Sequence, residues 1–139
     1  MLTQGSTAPD FKGVDQHGME RSMKDYANKK LVLFFYPKAS TGGCTKEVKN
    51  FQKNIDELQN QGFALLGVSA DDQDANNTFS YDNNLSFPLL CDVNREAIKA
   101  YGADQDGKTK RITYVIENNK ISRVIDKVDV DNASEQILR

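Results

Sequence analysis

Leu31-Val32-Leu33-Phe34-Phe35-Tyr36-Pro37-Lys38-Ala39-Ser40-Thr41-Gly42-Gly43-Cys44-Thr45-Lys46-Glu47 decides how this chain is read. The six apolar residues Leu31–Tyr36, stopped by Pro37, are the pattern of a strand buried on both faces. A loop with Ser40, Thr41, Gly42 and Gly43 follows, and then Val48, Phe51, Ile55 and Leu58 recur at three- and four-residue steps. That spacing is one face of an amphipathic helix, which should stop at Gly62. Cys44 therefore stands at a helix N-terminus, where unpaired N–H groups and the positive end of the helix dipole favour an anion. The sulfur nucleophile is a thiolate, and helix N-termini are among the places where proteins make one.

Around this unit the pattern continues in alternation. Phe63–Ala70 reads as a second buried strand, and Asp71–Leu85 as a short, weakly periodic helix. Phe87–Cys91 reads as a short strand whose Pro88 suits an edge. Asp92 can cap a helix that runs to Tyr101 and closes at Gly102. Arg111–Glu117 and Lys120–Lys127 alternate about Asn118-Asn119, a two-residue hairpin turn. Asp131 or Asn132 starts a C-terminal helix, and turn signals in residues 1–30 (Ala8-Pro9-Asp10, Gln16-His17-Gly18) suggest a small N-terminal hairpin. The expectation is one α/β domain over residues 1–139, with a mixed central sheet flanked by helices.

At 139 residues the chain is one domain in size, and 38 % hydrophobic with 27 % charged residues places it among soluble globular proteins. A formal net charge of −2 gives no electrostatic reason to expect nucleic acid or a membrane surface as partner. No apolar run approaches the ~18 residues of a membrane span, and Met1–Ser6 lacks the features of a signal peptide. Cys44 and Cys91 are the only cysteines and do not make a disulfide framework, so a reducing cytoplasm is expected. His17 is the only histidine and lies in a turn-like cluster, so neither a Cys/His metal site nor a Cys–His dyad is expected.

The loop and helix start resemble the Pro-x-x-x-Thr-x-x-Cys motif of the peroxiredoxins, filled here by Pro37, Thr41 and Cys44. The likeness extends along nearly the whole chain, through Ala8-Pro9-Asp10-Phe11, Phe35-Tyr36-Pro37-Lys38, Cys44-Thr45-Lys46-Glu47, Phe87-Pro88-Leu89-Leu90, Ala100-Tyr101-Gly102 and Arg111-x-Thr113-Tyr114-Val115-Ile116. It is nearest to the bacterioferritin-comigratory-protein (peroxiredoxin Q) subfamily. This resemblance implies a thioredoxin-like fold with an N-terminal hairpin extension and a cofactor-free thiol peroxidase. Its substrates would be hydrogen peroxide and organic hydroperoxides, and its electrons would come from thioredoxin, glutaredoxin or a small thiol. Three features depart from the subfamily: Gly42 replaces a common proline, Lys49 stands where many members carry a resolving cysteine, and the tail ending at Arg139 is short.

The resemblance also distributes roles. Cys44 is the peroxidatic residue, and the Thr41 hydroxyl bonds peroxide and thiolate. Gly43 and Cys44 offer backbone N–H groups to the peroxide, and Pro37 shapes the pocket. Arg111 supplies a cation, with Glu47 orienting it and Lys110 as competitor. A cation is needed on energetic grounds. Bringing a thiol from pKa ~8.5 to roughly 6 takes ~3.4 kcal/mol; a helix terminus typically supplies ~0.3–1 kcal/mol, whereas a guanidinium ~4 Å away supplies about 4 kcal/mol at an effective dielectric of ~20. For Thr41 a helix cap is the compatible simpler reading, and for Glu47 a surface carboxylate.

Cys91, on an apolar strand, is read first as structural and second as a resolving thiol. One-cysteine behaviour with an external thiol is the favoured cycle. An atypical two-cysteine enzyme using Cys91, a peroxide-responsive sensor or binding module, and a scaffold without turnover are the alternatives. By subfamily analogy the protein is a monomer, with a dimer through the Cys44-side loops as the other arrangement.

Overall fold

The computed structural model describes residues 1–139. An N-terminal hairpin pairs β1 (Lys12–Val14) with β2 (Glu20–Ser22), and a 3-10 turn over Met23–Tyr26 leads into β3 (Lys30–Phe35). Then come α1 (Gly42–Lys53), α2 (Ile55–Asn60), β4 (Phe63–Ser69), α3 (Gln73–Asp82), β5 (Leu89–Cys91) and α4 (Glu96–Ala100). A small hairpin of β6 (Asp104–Gln105) and β7 (Lys108–Thr109) precedes β8 (Ile112–Glu117), β9 (Lys120–Ile125) and α5 (Ala133–Leu138).

The central sheet has the order β5-β4-β3-β8-β9. β3, β4 and β5 run parallel, while β8 is antiparallel to β3 and to β9. Parallel neighbours must be joined by crossovers, and here α1–α2 and α3 make them. This is the mixed sheet with flanking helices that the strand and helix pattern predicts.

Alternate residues of β3 feed two separate cores, as a side-chain period of two requires. Leu31, Leu33 and Phe35 face a cluster with Phe11, Tyr26, Tyr101 and Tyr114. Val32, Phe34 and Tyr36 face Cys44, Val48, Phe51 and Leu58 on the other side. The Phe34 and Phe51 rings lie 4.7 Å apart, centroid to centroid, and both side chains are fully buried. A Phe→Ala change at such a site costs about 3–5 kcal/mol, so this contact anchors α1, and with it Cys44, on the sheet. Gly67 of β4 admits the packing: a Cβ there would sit 2.7 Å from Phe34 and 2.8 Å from Leu89.

The structure refines the expected elements. The single helix expected up to Gly62 is two, broken at Asn54, whose backbone has left the helical region (φ −105°, ψ 16°). Its side-chain Nδ2 donates to Asn50 O at 2.9 Å, the local competition that disfavours Asn inside helices. The weakly periodic stretch after Asp71 is a regular ten-residue helix, started by Asp72 accepting from Ala75 N–H. Asp92 does receive the N–H groups of Ala97 and Ile98, but Arg95, with φ +62°, occupies the position just before α4. The β6–β7 hairpin was not anticipated, although Asp106-Gly107, both at positive φ, is a strong two-residue turn signal. No helix is long and apolar enough to cross a membrane.

Candidate active site

Tyr36 extends β3 by one buried residue, and Pro37–Thr41 then carries the chain over the sheet edge into α1. Thr41 is the residue flanking the helix, with extended backbone (φ −89°, ψ 160°). The first intrahelical bond runs from Thr45 N–H to Thr41 O at 2.9 Å, so the N–H groups of Gly42, Gly43 and Cys44 lie ahead of it. No side chain caps them. They form a cluster of donors beside Cys44, whose side chain is fully buried.

Arg111, immediately before β8, reaches this cluster across the sheet. Its Nη2 donates toward Cys44 Sγ at 3.4 Å, and its Nη1 donates to Glu47 Oε1 at 2.6 Å. Cys44 and Glu47 are three residues apart on α1 and so share a helix face. One guanidinium therefore spans sulfur and carboxylate. Gly43 makes room for it: a Cβ at that position would lie 3.0 Å from Nη2. The neighbouring Lys110, in the short link between β7 and β8, is exposed and pairs with none of these groups.

Glu47 is fully buried, and its Oε2 has no hydrogen-bond partner. Burial pushes its carboxyl up to about 7, while the charge and hydrogen bond of Arg111 pull the other way. Burial alone would weaken the arginine's charge, but the Glu47 carboxylate and the Cys44 sulfur more than offset that and hold its pKa above the ordinary value. The carboxylate thus bears the desolvation cost of keeping the guanidinium in place. The reading of Glu47 as a surface carboxylate does not describe this residue.

Two residues of the expected site stand differently. The Thr41 side chain is exposed, and its hydroxyl donates to Lys38 O at 2.7 Å. It makes no hydrogen bond to Cys44, because it closes a three-residue turn within its own loop, and it caps no helix N–H. Pro37 is exposed at the mouth of the same loop.

Cys91 lies on β5, an edge strand two places from β3 in the sheet, and faces the same side as Cys44. It is 9 % exposed and accepts a hydrogen bond from Asn76 Nδ2 at 3.4 Å. Burial raises its thiol pKa, partly offset by that bond. Lys49 is exposed on the turn of α1 after Glu47. His17 is exposed in its turn, with its backbone N–H on Asp15 Oδ1 at 2.8 Å.

The sequence reading had not found Asp71 and Asn76. Asp71 Oδ2 accepts from Ala39 N–H at 2.8 Å, and Asn76 Oδ1 accepts from the buried Tyr36 hydroxyl at 2.6 Å. Both lie in the Asp71–Leu85 segment, which the sequence shows only as a short, weakly periodic helix, and no local pattern distinguishes them.

Residues 4–125 match the AhpC/TSA family. Peroxiredoxin Bcp of Escherichia coli is 32 % identical over 146 aligned positions, covering 99 % of this chain and 94 % of its own. A putative peroxiredoxin, bcp, of Helicobacter pylori is 38 % identical over 125 positions, covering 88 % and 78 %. Among solved structures, the peroxidoxin BcpB of Mycobacterium tuberculosis superposes with a TM-score of 0.92 at 29 % identity, covering 99 % of this chain and 95 % of that one. With a thioredoxin-like sheet, an arginine-paired cysteine at a helix N-terminus and these relatives, the chain belongs to the AhpC/TSA family, in its Bcp and peroxiredoxin Q group of thiol peroxidases.

Proposed function

We propose that Cys44 is the peroxidatic nucleophile of a one-cysteine cycle whose product is reduced by an external thiol. The observation that carries this reading is the guanidinium of Arg111, 3.4 Å from Cys44 Sγ, at a helix start with free N–H donors. A guanidinium at that distance, together with the N–H groups of the helix start, is placed to stabilise negative charge that develops between the sulfur and the peroxide oxygens. The thiolate attacks one peroxide oxygen, the S–O bond forms and the O–O bond breaks. Arg111 and the N–H groups of Gly43 and Cys44 stabilise charge on the departing hydroxide or alkoxide, which takes a proton from solvent. Cys44 is left as a sulfenic acid.

Thr41 enters this reaction by turning its hydroxyl from Lys38 O toward the bound peroxide, a rotation about one exposed side-chain bond. Pro37 contributes a loop mouth with no backbone donor of its own. Glu47 holds Arg111.

Two observations favour an external reductant. Lys49 cannot form a disulfide. Cys91 is buried on β5, and its thiol bonds with Asn76 and the Leu89 carbonyl rather than with Cys44. A thiol of thioredoxin, of glutaredoxin or of a small molecule then attacks the Cys44 sulfenic sulfur and releases water, and a second thiol frees Cys44 from the mixed disulfide. The protein acts as a monomer in this reading. The test is peroxide treatment followed by dimedone trapping and mass spectrometry without reductant. A dimedone adduct confined to Cys44 supports the cycle; a quantitative Cys44–Cys91 disulfide replaces it with a two-cysteine one.

A further inference from the structure

The loop that delivers Cys44 to its position is held from outside the reaction centre. Between Tyr36 and Thr41 the chain passes through Ser40 in the left-handed region (φ +63°), a conformation uncommon for a non-glycine residue. Backbone of this kind persists only where its surroundings determine it. Two side chains beyond β4 do so. Asp71 Oδ2 takes the Ala39 N–H at 2.8 Å, and Asn76 Oδ1 takes the Tyr36 hydroxyl at 2.6 Å, on either side of Pro37 and Lys38.

These two residues are themselves braced. Asp71 N–H donates to Ser69 Oγ at 3.3 Å, and Asn76 Nδ2 donates to Asp71 O at 3.4 Å. Tyr36, Ser69 and Asn76 are fully buried. None of this network touches the Cys44 sulfur. Ala39, however, lies only two residues before Thr41, so a displacement of its N–H is passed directly to the helix start.

We propose that Asp71 is a positioning residue for the peroxide reaction. Its carboxylate fixes Ala39 and so sets where Thr41 and the N–H groups of Gly43 and Cys44 stand relative to the sulfur and Arg111. A bond to an ionised acceptor is stronger than a neutral one, and the donor it holds lies 32 residues away in sequence. Ala39 is itself buried, so its N–H is held by this one specific acceptor rather than by bulk water. This inference rests on the assignment of Cys44 as the peroxidatic residue.

The experiment is single-turnover oxidation of the reduced full-length chain by hydrogen peroxide, quenched and read as the dimedone adduct on Cys44. Reduction of the sulfenic acid by dithiothreitol and the melting temperature are measured alongside. Asp71→Ala is expected to slow oxidation by about 10–100-fold, the scale of a misplaced catalytic geometry, with the reduction rate within about twofold of wild type. Asp71→Asn keeps an oxygen acceptor and is expected to restore most of the oxidation rate. Should the alanine variant fail to fold, Asp71→Glu moves the same carboxylate by one methylene and is expected to slow oxidation by at least about fivefold. A wild-type oxidation rate in Asp71→Ala, or in Asp71→Glu where that variant stands in for it, overturns the proposal, and so does equal slowing of both half-reactions. Failure of the wild-type chain to form the Cys44 adduct refutes the Cys44 assignment instead.

Discussion

Gly43 and Arg111 meet so closely that a single Cβ on the glycine would stand 3.0 Å from the guanidinium Nη2. That nitrogen is the one that reaches the Cys44 sulfur. The glycine is thus the space through which the cation arrives, and the sulfur, the cation and the helix start form one packed unit.

Gly43→Ala should therefore separate stability from activity. Alanine suits a helix better than glycine by up to ~1 kcal/mol, and the contacted atom is the movable end of a long side chain. The melting temperature should hold or rise. The guanidinium must shift away from sulfur, so peroxide oxidation of Cys44 should slow by roughly tenfold or more, as for other misplaced catalytic groups. Stopped-flow oxidation of the reduced protein checks this; an unchanged rate would show that the spacing does not matter.

Removal of the cation has two consequences. Arg111→Met leaves the buried Glu47 carboxylate without its partner, which should cost about 2–3 kcal/mol, a little under the usual range for broken buried pairs because the arginine is partly exposed. Addition of Glu47→Leu should recover most of that stability, since an apolar pair leaves no orphaned charge. It should recover none of the peroxidase rate. Denaturant unfolding and peroxide consumption on the two variants measure these effects separately, and recovered turnover in the double variant would refute the role of Arg111.

Glu47 also predicts how stability varies with pH. Its carboxyl is raised from 4.5 to about 7 by burial, so between those values the folded chain holds a proton that the unfolded chain has lost. The stability contributed by protonated Glu47 is fully present below pH ~4.5 and is lost as pH rises through about 7. Relative to Glu47→Gln, the wild-type protein should lose up to about 3 kcal/mol across that window, at ~1.36 kcal/mol per unit. Urea unfolding at a series of pH values tests it, and a constant difference between the two proteins would contradict it.

Gly42 is the first residue of α1; no neighbour lies within 4 Å of a Cβ built on it, and its φ is not positive. Proline is favoured at a first helical position, and the preceding Thr41 already has the extended backbone that proline demands. Gly42→Pro should stabilise the protein by ~0.4–1 kcal/mol through the unfolded state. A lower melting temperature would show that the helix start resists the constraint.

The sequence made the strand–loop–helix unit and the need for a cation beside Cys44 legible for physical reasons, while the choice of Arg111 came from the family resemblance. A six-residue apolar run stopped by proline has few alternatives to a buried strand, and the helix face from Val48 to Leu58 is periodic. The break at Asn54 was not legible, because a helix-period pattern continues across it and only the side-chain bond to Asn50 O ends the first segment. Which of Arg111 and Lys110 reaches the sulfur is decided by the bonds of Arg111 to Cys44 and Glu47, which bring together segments far apart in sequence. Asp71, Asn76 and the burial of Glu47 depend on contacts between segments distant in sequence, and composition carries no trace of them. The orientation of Thr41 was missed for the opposite reason: its hydroxyl found a partner within its own turn.

The most direct test of the account is steady-state peroxide consumption with dithiothreitol as electron donor, measured on the wild-type chain, Cys44→Ser and Cys91→Ser. The account predicts turnover in the wild type, none above background in Cys44→Ser, and at least about half the wild-type rate in Cys91→Ser, since only a change in hydrogen bonding at Asn76 separates that variant from the native site. Near-wild-type turnover in Cys44→Ser would contradict the account outright.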